Sequence, residues 1–160
     1  MNVWYSLSDI PGNEASVVTI GNFDGMHNGH KKVISTCIER AHKLGVDAVA
    51  ITFDPHPIQV HKPEVGLQLI SPLRDRLDAM AAAGLDATLV AHYDASVYSL
   101  EADEFVYEYL VERCGAREVV VGEDFRFGRG NAGTIDTLRE LGRRYGFNVI
   151  TVTDIEAPEG

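Results

Sequence analysis

The chain has 160 residues, a formal net charge of −10 and a pI near 4.9. That length suits one domain, which buries roughly 70% of the surface its unfolded chain exposes. An acidic balance of this size repels polyanions and excludes extended, salt-driven nucleic-acid binding, while a small phosphate ligand held by local dipoles remains compatible with it.

In chain order, Met1 to Pro11 holds Trp4, Tyr5 and Leu7 but neither a basic flank nor a continuous apolar run. No signal peptide, no membrane-spanning stretch and no membrane partner are expected. Five apolar, β-branched runs follow at residues 17–20, 46–53, 87–91, 118–121 and 148–152, and they read as strands buried on both faces. Helical patterns at residues 31–44, 73–83, 102–113 and 134–145 alternate with them, with Gly45, Gly84, Gly115 and Gly146 placed as C-caps. The alternation predicts an α/β fold with a Rossmann-like, doubly wound, mostly parallel five-stranded sheet. Ligands of such sheets bind outside the carboxyl ends of the strands. Cys37 and Cys114 lie far apart on segments that read as helical, with no second Cys or His at metal-ligand spacing. Both are expected to be free thiols of a reducing, cytoplasmic protein.

The connection after the first run, residues 21–30, reads Gly-Asn-Phe-Asp-Gly-Met-His-Asn-Gly-His and opens a helix. His27 and His30 are three apart, hence neighbours on a first helical turn, where unpaired N–H groups and the helix dipole favour anions. Gly29 between them lets backbone approach a polyphosphate. Nucleotidyl transfer needs donors aimed at the charge developing on the attacked phosphorus and the departing pyrophosphate, together with a divalent cation. Two imidazoles at a helix start supply such donors; the competing reading is two surface histidines beside a loop. A zinc site would need further ligands, and only the scattered His42, His56, His61 and His92 are on offer, so no metal ligand is assigned. Neither Gly-Lys-Ser/Thr nor Gly-x-Gly-x-x-Gly follows a strand, which removes the Walker loop and the dinucleotide fingerprint. Asp24 either orients a histidine or a metal-bound water, or closes its own turn through an Asx bond.

Two connections, residues 54–71 and 122–133, are longer than ordinary strand-to-helix loops. The first opens with Asp54-Pro55-His56-Pro57, whose prolines stiffen the backbone next to Phe53. It suits the wall of a flat ligand or, equally, a rigid packing turn. The second holds Asp124-Phe125-Arg126-Phe127-Gly128. If extended, it puts two rings on one side to stack a heterocycle and Arg126 on the other to meet phosphate. A core-packed Phe pair with a solvated arginine is the alternative. Gly128, Gly130 and Gly133 read as a flexible lid or an irregular loop. Glu101, Asp103 and Glu104 are explained by helix capping, and Phe105, Tyr109 and Leu110 by core packing.

With these motifs in this order, residues 4–155 resemble the prokaryotic FAD synthetases, specifically the FMN adenylyltransferase module of bifunctional riboflavin kinase/FMN adenylyltransferases. Residues 21–30 look like that family's opening signature, residues 52–57 like its Thr-Phe-x-Pro-His-Pro, and residues 121–128 like its Val-Gly-x-Asp-Phe-Arg-Phe-Gly. The resemblance implies a nucleotidylyltransferase fold. In the implied reaction, the FMN phosphate attacks the α-phosphorus of ATP in line, giving FAD and pyrophosphate with Mg2+ and no covalent enzyme intermediate. His27 and His30 would hold the ATP phosphates and stabilise the transition state; Gly21, Asn22, Phe23 and Asp24 would line the nucleotide pocket; Asp124 would help place substrate; Phe125 and Phe127 would lie near the flavin. Taken with the residue chemistry, the nucleotide side also includes Gly29 and Arg126, and the flavin side Pro55, His56 and Pro57.

The family's Ser-Ser/Thr-x-x-Arg signature, which follows the fifth strand in relatives, does not occur within these 160 residues, nor does the riboflavin kinase domain. Residues 1–160 are therefore expected to form a single FMN adenylyltransferase domain of FAD biosynthesis, truncated, with a C-terminal riboflavin kinase domain in the full-length protein. Two alternatives stand beside it. One is a catalytically impaired flavin- or nucleotide-binding fragment. The other is a sibling pantetheine-phosphate adenylyl- or cytidylyltransferase, which leaves the Asp-Phe-Arg-Phe-Gly loop unexplained.

Overall fold

The computed structural model describes residues 1–12, 14–23, 28–64 and 72–153. Six strands form one sheet: β1 (Asn2–Trp4), β2 (Ser16–Ile20), β3 (Asp47–Asp54), β4 (Ala87–His92), β5 (Ala116–Gly122) and β6 (Asn148–Val152). Their order is β1-β4-β3-β2-β5-β6, and every neighbouring pair is parallel. The helices are α1 (Asn28–Leu44), α2 (Pro57–His61), α3 (Leu73–Ala83), α4 (Ala95–Tyr98), α5 (Ala102–Phe105) and α6 (Ile135–Tyr145).

The parallel α/β sheet agrees with the expectation, but it has six strands rather than five. The addition, β1, is three residues long and pairs Asn2, Val3 and Trp4 with Ala87, Thr88 and Leu89. A strand this short shows no alternation to read; pairing with the edge of β4 is what makes it a strand. The pattern at residues 102–113 also changes character. α5 continues into a π-helical stretch (Val106–Arg113), where Cys114 N–H donates to the Tyr109 carbonyl five residues back at 3.2 Å. Periodicity alone does not separate this winding from an α-helix, because Val106, Tyr109 and Leu110 are buried in either.

Residues of β2, β3 and β5 alternate between two apolar layers. Val18, Ile20, Val49, Ile51, Val119 and Val121 pack against Phe105, Leu110, Leu138 and Leu141, from the π-helical side and α6. Val17, Ala48, Ala50 and Val120 pack against Val33, Ile34, Cys37 and Met80, from α1 and α3. Burial on both faces explains why these strands read as unbroken apolar runs. Left-handed glycines end the flanking helices, with Gly84 after α3 at φ 107° and Gly146 after α6 at φ 91°. Connections leave central β2 toward β3 on one side and reach β5 on the other, so the strand order reverses between β2 and β5. The crevice outside their carboxyl ends is where a doubly wound sheet takes its ligands.

Candidate functional site

Gly21 follows the last residue of β2, and its N–H donates to the Ile51 carbonyl at 3.1 Å. Asn22 and Phe23 then turn the chain. Phe23 has a left-handed φ of 53° and a ring only 2% exposed, lodged under α1. Its ring meets that of His30, on the first turn of α1, edge to face with centroids 5.6 Å apart. The Asn22 side-chain oxygen is buried with no hydrogen-bond partner among the described residues, which leaves an acceptor at this wall.

Strands β2, β3 and β5, together with the segment after β4, open onto one cavity of about 920 Å³. Gly21 and Asn22 form one wall, Phe53, Pro57 and His61 a second, Tyr93 and Tyr98 a third, and the loop from Phe125 to Asn131 a fourth. Local structure holds each wall. His56 caps α2, its Nδ1 accepting from Ile58 N–H at 3.1 Å while Gln59 Oε1 accepts from His56 N–H at 2.9 Å. Asp94 caps α4, accepting from the Ser96 N–H at 3.0 Å; hydrogen bonds from Ser96 hold its carboxyl below the usual range. The Phe127 and Gly133 backbones bond reciprocally at 3.1 and 2.8 Å, tying off the loop after β5.

The walls are aromatic. Tyr93 meets Phe53 at 5.7 Å and His61 at 5.5 Å, and Tyr98 meets His61 at 4.9 Å, measured between ring centroids. The Tyr93 hydroxyl and His61 Nε2 are hydrogen-bonded at 2.8 Å, and burial raises the Tyr93 phenol. Opposite them, Phe125 and Phe127 stack nearly parallel at 5.5 Å. Such a slot is built for a planar heterocycle, with a polar edge on the His61–Tyr93 side.

Beneath the crevice lies Arg76 of α3, 2% exposed. Its Nη1 donates to the Asn22 carbonyl at 2.9 Å and the Thr52 hydroxyl at 3.1 Å, with the Phe53 carbonyl at 3.4 Å; Nη2 lies 3.8 Å from Asp54 Oδ1. The Thr52 hydroxyl itself donates to the Asn22 carbonyl at 3.1 Å.

Of the residues singled out from sequence, Gly21, Asn22, Pro57, Phe125, Arg126 and Phe127 border the cavity. Phe23 and His30 stand behind the Gly21–Asn22 wall, and Gly29 lies in the first turn of α1. The extended reading puts Arg126 on the side away from the rings, yet it too borders the cavity, its Nη1 donating to the Asn131 carbonyl at 3.2 Å. Pro55 and His56 are not among the lining residues, His56 being engaged as a helix cap, and Asp124 is exposed on the turn after β5. Asp24 and His27 lie outside the described residues. Sequence reading missed His61, Tyr93, Tyr98 and Arg76 as site residues. Tyr93 directly follows the carboxyl end of a strand, and Arg76 shares the apolar stripe of Leu73, Leu77 and Met80; a charge on such a stripe is a readable signal.

The comparisons agree with this geometry. The family model described as FAD synthetase matches residues 9–159. A Geobacillus thermodenitrificans protein named for riboflavin kinase and FMN adenylyltransferase activities is 41% identical over 130 residues, 81% of this chain and 68% of that one. The chain spans about half the length of other curated relatives so named (45–47%). The crystal structure of a Streptococcus pneumoniae protein named as a macrolide-efflux protein superposes with a TM-score of 0.82 at 25% identity, covering 99% of this chain and 51% of that one. Pantothenate synthetase from Thermus thermophilus shares the fold, with a TM-score of 0.65 at 13% identity over 97% of this chain and 62% of that one. Among the described residues, no helix is long and apolar enough to cross a membrane. A family match across nearly the whole sequence, on a parallel sheet whose crevice gathers three of the family-like motifs, leads to one assignment: this chain belongs to the FAD synthetase family.

Proposed function

We propose that this domain transfers adenylate from ATP to FMN, forming FAD and pyrophosphate. The observation that carries the reading is one cavity bordered at once by Gly21 and Asn22, by Phe53 and Pro57, and by residues 125–131. One side is a strand-to-helix turn suited to phosphates, and the other is a slot between aromatic rings suited to an isoalloxazine.

In the proposed reaction a phosphate oxygen of FMN attacks the α-phosphorus of ATP. The new O–Pα bond forms as the bond from Pα to the bridging oxygen breaks, and pyrophosphate leaves with the electron pair. His27 and His30 donate hydrogen bonds to phosphate oxygens, His30 from the first turn of α1, where the helix dipole already favours anions. Gly21 and Asn22 support the nucleotide, and Phe23 backs His30. Asp24, Gly29 and Arg126 belong to the nucleotide side, with Arg126 at the cavity rim. Phe125 and Phe127, with Pro57, Tyr93 and Tyr98, flank the flavin; Pro55 and His56 shape that wall through the turn into α2, and Asp124 helps place substrate. Among the described residues no three His, Cys, Asp or Glu side chains converge. Magnesium would come with the ATP phosphates and supply charge neutralisation there. Two buried free thiols fit a reducing cytoplasm. A riboflavin kinase domain, present in the names of the curated relatives, is the proposed covalent partner of this module.

Calorimetric titration with ATP, FMN and FAD in the presence of magnesium, alongside a pyrophosphate assay, tests the reading. Binding with FAD formation is the expected result. Binding without turnover would recast the chain as a flavin- or nucleotide-binding module, and failure to bind all three would reject the reading in favour of a sibling nucleotidyltransferase.

A further inference from the structure

We propose that Arg76 is a positioning residue, acting through the turn after β2 to orient the His30 imidazole; its kinetic consequence rests on the adenylyl-transfer reading above. α3 presents Leu73, Leu77 and Met80 along the stripe that carries Arg76. A leucine or methionine would fill that position at no desolvation cost, whereas burying a guanidinium is expensive. The arginine instead directs its hydrogen bonds to chain leaving two strands: the Asn22 carbonyl after β2, and the Thr52 hydroxyl and Phe53 carbonyl at the end of β3. Thr52 closes the triangle by donating to the same Asn22 carbonyl. Two donors on one carbonyl fix the orientation of the Asn22–Phe23 peptide plane.

That plane sets the next residue. Phe23 follows in the left-handed region, and its ring is held from two directions, by Gly21 and by His30. A Cβ added at Gly21 would stand 3.1 Å from the Phe23 ring, so the ring fills the space beside residue 21 that only a glycine leaves open. Movement of the Asn22 carbonyl is thus passed through the Phe23 ring to the His30 imidazole at the head of α1. All three bonds leave Nη1, one arm of the guanidinium fork, whose two hydrogens lie in a fixed plane; an ammonium on a flexible stem holds no such plane.

The test uses Arg76→Met, which keeps volume and removes the donors, and Arg76→Lys, which keeps the cation and removes the fork. The first readout is the imidazole NMR spectrum of the unliganded chain. His30 signals shift in both variants, while those of His42, at the far end of α1, stay in place. The second readout is steady-state FAD formation. We expect kcat to fall about a hundredfold in Arg76→Met and about tenfold in Arg76→Lys, with KM for ATP and FMN within about twofold of the parent. A folded variant with unmoved His30 signals overturns the proposal whatever its activity. If Arg76→Met does not fold, Arg76→Lys alone decides, and parental His30 signals or parental kcat overturn the proposal. A parent chain that forms no FAD overturns the adenylyl-transfer reading, while the spectrum still decides whether Arg76 governs His30.

Discussion

Each end of the sheet buries one charged side chain, and the two are satisfied in different ways. In the amino-terminal half of β5, Glu118 is 5% exposed and is bonded by the side chains of Arg40 and of Asn148 on β6. Arg40 Nε and Nη2 of α1 donate to its two carboxylate oxygens at 2.8 Å each. That pair is closed, side chain to side chain, between two regular elements. Under the carboxyl ends, among the described residues, Arg76 meets the Asp54 carboxylate at 3.8 Å and gives closer bonds to a hydroxyl and to carbonyls where the chain leaves the strands. A closed pair holds two elements together; a charge distributed over carbonyls sets the course of the chain that borders the cavity.

The largest kinetic effect is expected at the carboxyl end. Replacing His30 by Ala removes a proposed phosphate donor and lowers kcat on the order of a hundredfold, and His27→Ala does the same. A melting temperature close to the parent's would assign the loss to chemistry, whereas an unchanged kcat would remove the histidines from the mechanism.

A smaller effect follows from Gly128→Ala. Gly128 has φ 78°, and an added Cβ would stand 2.9 Å from the Ala102 Cα at the start of α5. The loop carrying Phe125 and Phe127 then has to shift, and KM for FMN rises about tenfold with less change in KM for ATP. Equal changes in both constants would take the loop away from the flavin.

At the amino end, Glu118→Gln sharpens the contrast by costing stability without touching kinetics. Because Arg40 stays open to water, the loss is about 1 kcal/mol, or roughly 2–4 °C in Tm. Hydrogen bonds from Arg40 hold the Glu118 carboxyl below its usual range. Its contribution is therefore complete above the ordinary glutamate pKa of about 4.3 and fades as pH falls through the lowered folded value. Parent and variant melting curves should converge at low pH; a gap that widens with acid would contradict this sign.

The smallest effect is at the thiols. Burial pushes both Cys37 and Cys114 up to about 12. Mass spectrometry after iodoacetamide treatment at pH 8 should find neither labelled in the folded chain and both labelled after unfolding. Rapid native labelling would show that the cores against α1 or the π-helical stretch open readily.

Much of the site could be read before the fold because it depends on local chemistry. The Gly-Asn-Phe stretch, the proline-stiffened turn and the Phe-Arg-Phe loop each follow an apolar run, and parallel strands bring their carboxyl ends together. His61 and Tyr98 carried no such mark, since each ends a helix too short to show a period, and only ring packing in the chain Phe53, Tyr93, His61, Tyr98 makes a wall. His56 shows the reverse, since a residue that looked like ligand chemistry caps a five-residue helix.

By itself the sequence determined the alternation of buried strands and amphipathic helices, the glycine C-caps and the parallel class of sheet, because burial on both faces and helix termination act over a few neighbouring residues. Tertiary structure alone decided that Asn2–Trp4 becomes a strand, that Val106–Arg113 winds as a π-helix, and that Arg76 reaches under residues 22 and 52–54. Each depends on partners tens of residues away in the chain, which become neighbours only when the sheet has formed.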